Sequence, residues 1–253
     1  MRAQREMMAA PLRDTAASRG DGAATPPRSN HLLADVPSSD RTRLEGLVQP
    51  VLLKFGDVLY EAKAIDHVYF PVDCLVSLLA PLKGHLAVEC AVVGSEGMVG
   101  VALALGVRRS SVQAVVQGSG TALRMGASSF QREFQRNTVL QTGIYRYIHL
   151  LMGQLTQTAA CNAFHPIEAR CARWLLMTRD QMQSDEVELT HERLARMLGV
   201  RRVGVTVAAG NLQRQGLIAY AHGRITILDP ERLAKFACEC YGSVKNLYGD
   251  SSV

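Results

Sequence analysis

This sequence has no long apolar run. The richest stretch, Cys74 to Leu82, is short and contains a proline. A bilayer-spanning helix takes roughly 18 to 20 consecutive apolar residues, so insertion into a membrane is not expected. The N-terminal stretch holds arginines, acids and only a brief apolar patch, and lacks the long apolar region of a secretory signal. Several catalytic signatures are missing too. There is no Gly-Lys-Ser/Thr phosphate loop, no dinucleotide-binding glycine fingerprint and no serine elbow. A metal-dependent cupin would need a close His-x-His, whereas His67 and His85 stand alone. Gly118-Ser119-Gly120 has no catalytic partner at recognisable spacing and reads as a turn between strands. No enzymatic activity is expected.

Clustered cysteine is also scarce. The six cysteines, Cys74, Cys90, Cys161, Cys171, Cys238 and Cys240, are scattered, and in a cytoplasmic chain, the location expected here, thiols stay reduced. A disulfide framework is therefore not expected. Only Cys238-Glu239-Cys240 is closely spaced, and on a helix its sulfurs would point about 200° apart, a poor arrangement for chelation. The cysteines read as ordinary thiols, with no metal site.

What the chain does have is apolar substance and a modest positive charge. Its 253 residues are 47% hydrophobic with a net charge of +5, enough for two cored domains and a weak lean toward an acidic partner. Residues 1–28, rich in Ala, Gly, Ser, Pro and charge, read as a disordered tail. A serine-capped helix is expected from Ser38 to Leu47. Then come short runs rich in Val, Leu and aromatics, punctuated at Phe55-Gly56-Asp57, Pro71-Val72-Asp73, Lys83-Gly84-His85 and Gly94-Ser95-Glu96-Gly97. These are the marks of short antiparallel strands in a sandwich or jelly roll, continuing to about Met125.

After Gly126 the period shifts toward 3.6. Leu140, Ile144, Tyr147, Ile148, Leu151 and Leu155 form one stripe on a helix from about Ser128 to Ala160. So long a helix is expected to pair with a copy of itself; the alternative is that the stripe packs wholly within one chain. Asn162 to His165 reads as a hinge, and Pro166 suits the first turn of the next helix.

The stretch "LTHERLARMLGVRRVGVTVAAGNLQRQGLIAYAHGRITILD", Leu189 to Asp229, carries the functional signal. Thr190 caps a helix ending at Gly199, a glycine expected at positive φ. A second helix follows from about Arg202 to Gln215, and then a hairpin turning at His222-Gly223. That order is a winged helix-turn-helix. Adjacent arginines at the mouth of the second helix serve no core, but a guanidinium there can bond guanine O6 and N7 in the major groove.

With the β-rich region and long helix before it, this stretch resembles the transcription regulators of the CRP/FNR superfamily over roughly residues 30 to 240. The resemblance implies an α+β chain: a disordered tail (1–28), an antiparallel β-roll (29–126), a long dimerisation helix (127–161) and a DNA-binding winged helix-turn-helix (162–253). It implies double-stranded DNA bearing a palindromic operator, a second copy of the chain and RNA polymerase as partners. It places Arg202 on the family's base-reading arginine and Arg201 where phosphate is touched. Thr206 and Asn211 fall on or near the groove side, Gln213 and Arg214 near the backbone, and Arg224 on the wing. Val203 replaces a glutamate often used to read cytosine, and Val207 a second arginine, so the usual half-site does not carry over.

The family's cyclic-nucleotide binders use a Gly-Glu-Leu turn and a later Arg-Ser pair. Here Gly100 is followed by Val101, and Arg109-Ser110 comes about two residues early, with Glu96 as a substitute only if the loop is rebuilt. Cyclic nucleotide is therefore not expected as a cofactor, and the effector is unidentified. An iron–sulfur cluster is not expected either, since the first 73 residues contain no cysteine. Cys74 and Cys90 remain as redox candidates, and His67 and His85 as haem ligands, although a histidine in a strand or turn is more often polar surface. The alternative reading is a small-molecule-binding or metal-dependent, cupin-like β-roll whose C-terminal unit mediates protein contacts.

Overall fold

A computed structural model describes residues 29–82 and 87–249. The expected tail and the turn at Lys83-Gly84-His85, with the candidate ligand His85, lie outside the described residues. Two short helices, α1 (His31–Ala34) and α2 (Ser38–Glu45), open the described chain. The cap expected of Ser38 is not made: Ser38 is the first helical residue, behind Pro37.

Seven strands then build two antiparallel sheets. One has the order β1 (Gln49–Leu53), β7 (Gly120–Gly126), β3 (His67–Pro71), and the other β2 (Val58–Tyr60), β6 (Gln113–Gly118), β4 (Leu75–Ala80), β5 (Val88–Val93). Their facing side chains, among them Val68, Phe70 and Ala122 opposite Val76, Ala91, Val93 and Val116, fill a shared core. That is the jelly-roll-like β-roll the punctuation predicts. β4 is buried at nearly every position rather than at alternate ones. Val76 and Leu78 belong to the roll's core, whereas Leu79, on the opposite face, belongs to the core of the C-terminal unit. A strand covered on both faces loses its polar alternation.

The expected continuous helix is two. α3 (Ala127–Arg136) ends at Asn137, which leaves helical backbone at φ −104° and ψ 100° and caps α4 (Thr138–Phe164), its side chain accepting from the Leu140 amide at 2.9 Å. Asparagine favours this position because its oxygen satisfies an amide that has no intrahelical partner. α4 also runs through Asn162, Ala163 and Phe164, which the sequence reading assigns to a hinge. The turn is confined to His165 and Pro166, because a residue before proline is pushed out of the helical region.

The C-terminal unit comprises α5 (Ile167–Met182), β8 (Glu186–Glu188), α6 (His191–Leu198), α7 (Arg202–Arg214), β9 (Ile218–Ala221), β10 (Arg224–Ile227), α8 (Pro230–Phe236) and α9 (Cys240–Gly249). Its strands pair in the order β8-β10-β9. The unit is docked on the roll. Trp174 Nε1–H of α5 donates to Glu89 of β5 at 2.7 Å, Ser77 bonds the other carboxylate oxygen, and Arg193 of α6 lies 4.3 Å over the Phe55 ring. Burial pushes the Glu89 carboxyl up to about 7, although Ser77, Trp174 and the charge of Arg173 pull the other way.

Candidate nucleic-acid interface

The geometry of the interface begins with the turn between α6 and α7. Thr190 Oγ1 accepts from the Arg193 amide at 3.3 Å, and Gly199 closes α6 at φ 63°. A side chain at Gly199 would also meet Val88 of the roll at 3.0 Å. Leu194, Leu198, Val205, Ala209 and Leu212 pack with Leu175 and Trp174 in one core, which fixes the angle between the two helices. The wing turns at His222 (φ 50°) and Gly223 (φ 77°), the two positive values a type I′ hairpin demands.

With one side of α7 in that core, the other faces water. Arg201 is its N-cap and Arg202 its first residue, both exposed, followed on the same side by Val203 (75% exposed), Thr206 and Val207 (57% exposed). Two bare valines on a solvated helix face suit contact with thymine methyl groups rather than a chain core. Thr206 is pinned from both sides: its hydroxyl donates to the Arg202 carbonyl at 3.1 Å, so at 3.2 Å it accepts from His191 Nδ1–H. His191 stacks on Tyr220 of the wing at 4.2 Å. Burial first, and the charge of Arg202 second, hold its imidazole below the usual range, hence neutral.

The remaining sequence-predicted residues fall elsewhere. Asn211 is turned away from the groove side: its amide donates to Glu168 of α5 and its oxygen accepts from Arg214. Arg224 does lie on the wing, but it pairs with Glu186 at 3.1 Å and Glu188 at 3.4 Å, exposed pairs that a phosphate must displace. Gln213 is exposed. Of the stripe expected to join two chains, Leu140, Ile144, Tyr147 and Leu151 are buried in the core of their own roll and Ile148 packs against it. Leu155, 38% exposed, is the member left to solvent. A different face of α4 is open: Thr142, Tyr145 (53% exposed), His149, Met152 (61% exposed), Thr156, Ala159 and Ala163, at alternating steps of three and four.

In the roll, Gly100 has φ 98° and Arg109 is exposed on a bridge to Ala64. Ser110 is held by a bond each way with Val112, and Tyr60 is half-buried against the roll's core, with burial pushing its phenol up to about 12. Glu96 is half-buried and accepts from the Gly94 amide at 2.9 Å. His67 is half-buried on β3, with its ring 6.4 Å from that of Tyr69. Cys74 sits in the roll's core, its thiol pushed up to about 12 by burial, so it is a poor redox group.

One cluster escaped the sequence reading. Cys238 lies in the loop after α8 and Cys240 begins α9, so the helical argument against chelation does not apply to this pair. Both meet the last turn of α4. Cys161 Sγ is 3.5 Å from Cys238 Sγ, and Cys240 Sγ is 3.4 Å from His165 Nδ1. The donor atoms of these four residues all lie within 4.8 Å of one another. The signal was present as Cys-x3-His at a helix end and Cys-x-Cys downstream, but the two halves are far apart in sequence.

Residues 169–236 match the Crp-like helix-turn-helix domain. No curated protein matches the chain. Among solved structures, a protein of Eubacterium rectale described as a transcriptional regulator of the crp/fnr family is similar over 81% of this chain and 97% of its own, at 15% identity and a TM-score of 0.64. The c-di-GMP-responsive global regulator CLP of Xanthomonas campestris is similar over 76% of this chain and 99% of its own (15% identity, TM-score 0.63). A CRP-family transcriptional regulator of Thermus thermophilus is similar over 74% and 96% (21% identity, TM-score 0.63). The fold is that of CRP/FNR regulators, a β-roll followed by a helix-turn-helix. Among the described residues no helix is long and apolar enough to cross a membrane.

Proposed function

We propose that this chain is a DNA-binding transcription regulator of the CRP/FNR type, not an enzyme, which engages a two-fold operator as a homodimer and works with RNA polymerase. The observation that carries the reading is the exposed pair Arg201-Arg202 at the entrance of α7, within a unit that matches the Crp-like helix-turn-helix domain. Arg202 reads a base edge, Arg201 holds phosphate, Val203 and Val207 contact methyl groups, and Thr206 is steadied by His191. Arg224 gives up its glutamates for phosphate when the wing meets the backbone.

The dimer forms through the open face of α4. Its steps of three and four residues give the 3.5-residue period of a coiled-coil seam, with Tyr145 and Met152 as its large side chains. Any effector acts at the roll by changing how the two winged units are held. A cyclic nucleotide is not the effector in this reading, because Val101 follows Gly100 where the binders carry a glutamate and Arg109-Ser110 comes about two residues early.

Fluorescence anisotropy with a mixed-sequence duplex at several salt concentrations tests the core of this reading. Affinity should fall steeply with salt as counterions are released, and the double variant Arg201→Ala/Arg202→Ala should bind more weakly with a shallower salt dependence. Binding that ignores both salt and the two arginines would reject it. Selection of bound fragments from a random pool should then return two inverted half-sites about one helical turn apart.

A further inference from the structure

Three thiols and one imidazole converge where α4 ends and the C-terminal segment returns. Cys161 lies in the last turn of α4 and His165 is its C-cap; Cys238 and Cys240 close on them from the other side, and all three cysteines are buried. We propose that Cys161, His165 (through Nδ1), Cys238 and Cys240 form a closed, mononuclear, structural zinc site.

The geometry suits that ion. A tetrahedral zinc with bonds of about 2.3 Å to sulfur and about 2.0 Å to nitrogen spaces its sulfurs about 3.8 Å apart and sulfur from nitrogen about 3.5 Å apart. The distances here are 3.5 Å for Cys161 to Cys238 and 3.4 Å for Cys240 to His165 Nδ1. A set of thiolates with one imidazole favours zinc over magnesium or calcium, which take oxygen ligands. Four protein donors leave no open position for substrate, the arrangement of a structural rather than a catalytic site.

The surroundings fit as well. His165 Nε2 lies 3.1 Å from the Glu239 carboxylate, so the ring donates there while Nδ1 faces the metal. Gln157 donates to Cys240 Sγ at 2.9 Å. Binding releases three thiol protons and leaves the centre with one net negative charge. Two largely buried guanidiniums, those of Arg170 and Arg173, lie beside these sulfurs. Among the described residues neither Nε–H has a hydrogen-bond partner, so an anionic centre supplies what they lack. Arg170 also bonds Asn162 and the Leu198 carbonyl at the end of α6, which joins the site to the helix-turn-helix.

The test is the metal content of the full chain purified under reducing conditions from zinc-supplemented medium. About one zinc per chain is expected, lost in Cys161→Ser and in Cys238→Ser and kept in Cys90→Ser, whose thiol lies elsewhere. Because a variant that fails to fold would also lose metal, the wild-type chain is in addition exchanged with cobalt. The intense visible bands of tetrahedral cobalt with thiolate charge transfer support the site, and the weak spectrum of six-coordinate cobalt overturns it. Iron with acid-labile sulfide, a Cys161–Cys238 disulfide in the reduced preparation, or a metal-free chain with native circular dichroism each overturns it too.

Discussion

Arg202 and Arg201 occupy adjacent positions, and single substitutions separate the roles proposed for them. Arg202→Ala should cost about 1–3 kcal/mol on the selected operator and relax preference at one base pair, with little change on mixed-sequence DNA. Arg201→Ala should weaken every duplex alike and lower the slope of log affinity against log salt by about one. Anisotropy titrations on a set of base-substituted operators read both. A second residue-scale prediction concerns Glu89, whose carboxyl sits at about 7 in the fold against an ordinary value of 4.5. The folded state keeps that proton over a range where the unfolded chain has lost it. Stability therefore falls as pH rises from about 4.5 to about 7 and is level above, by about 3 kcal/mol in all. Glu89→Gln keeps acceptors and donors for Trp174 and Ser77 without the charge. In urea titrations it should gain stability near pH 8 and change little near pH 5. A wild-type stability equal at both would mean the carboxylate is hydrated. The arginine pair was readable because helix start, turn and charge lie within a few residues. Asn211 was not: its direction is decided by Glu168, some forty positions earlier and on another helix.

α4 shows how a correct pattern can be given the wrong partner. The stripe Leu140, Ile144, Tyr147 and Leu151 is real, and its period marks the helix faithfully, but the roll of the same chain covers it. The face left to solvent carries Thr142, His149, Thr156, Ala159 and Ala163 beside its two large side chains, too polar to stand out beside the first. Met152→Glu should give a monomer in sedimentation equilibrium with an unchanged fold and a loss of operator affinity, since the side chain has no core to disturb. Leu151→Ala should do the opposite, destabilising the chain by about 2–5 kcal/mol while the subunits still associate. A Met152→Glu chain that stays dimeric would move the seam elsewhere. The break at Asn137 went unread because an asparagine within a periodic stretch looks like a solvated helix residue until its cap is seen.

Across the whole molecule, the winged unit and the roll share side chains rather than merely adjoining. Leu79 of β4 lies in the winged unit's core, Trp174 reaches Glu89, and Val88 abuts Gly199. Scanning calorimetry of the full chain should accordingly give one cooperative transition; two resolved transitions would mean that this contact contributes little. Domain order was legible in the change from period 2 to period 3.6, but this docking was not, because no local pattern tells a strand buried on one face by its own sheet partner from one covered again by a distant helix.

His165, just before α5, and Cys238, just after α8, sit side by side at the tip of α4. The segment between them thus starts and finishes at one foothold, with the roll as its other support. A shift of that tip therefore bears on the start and the finish of the reading head at once.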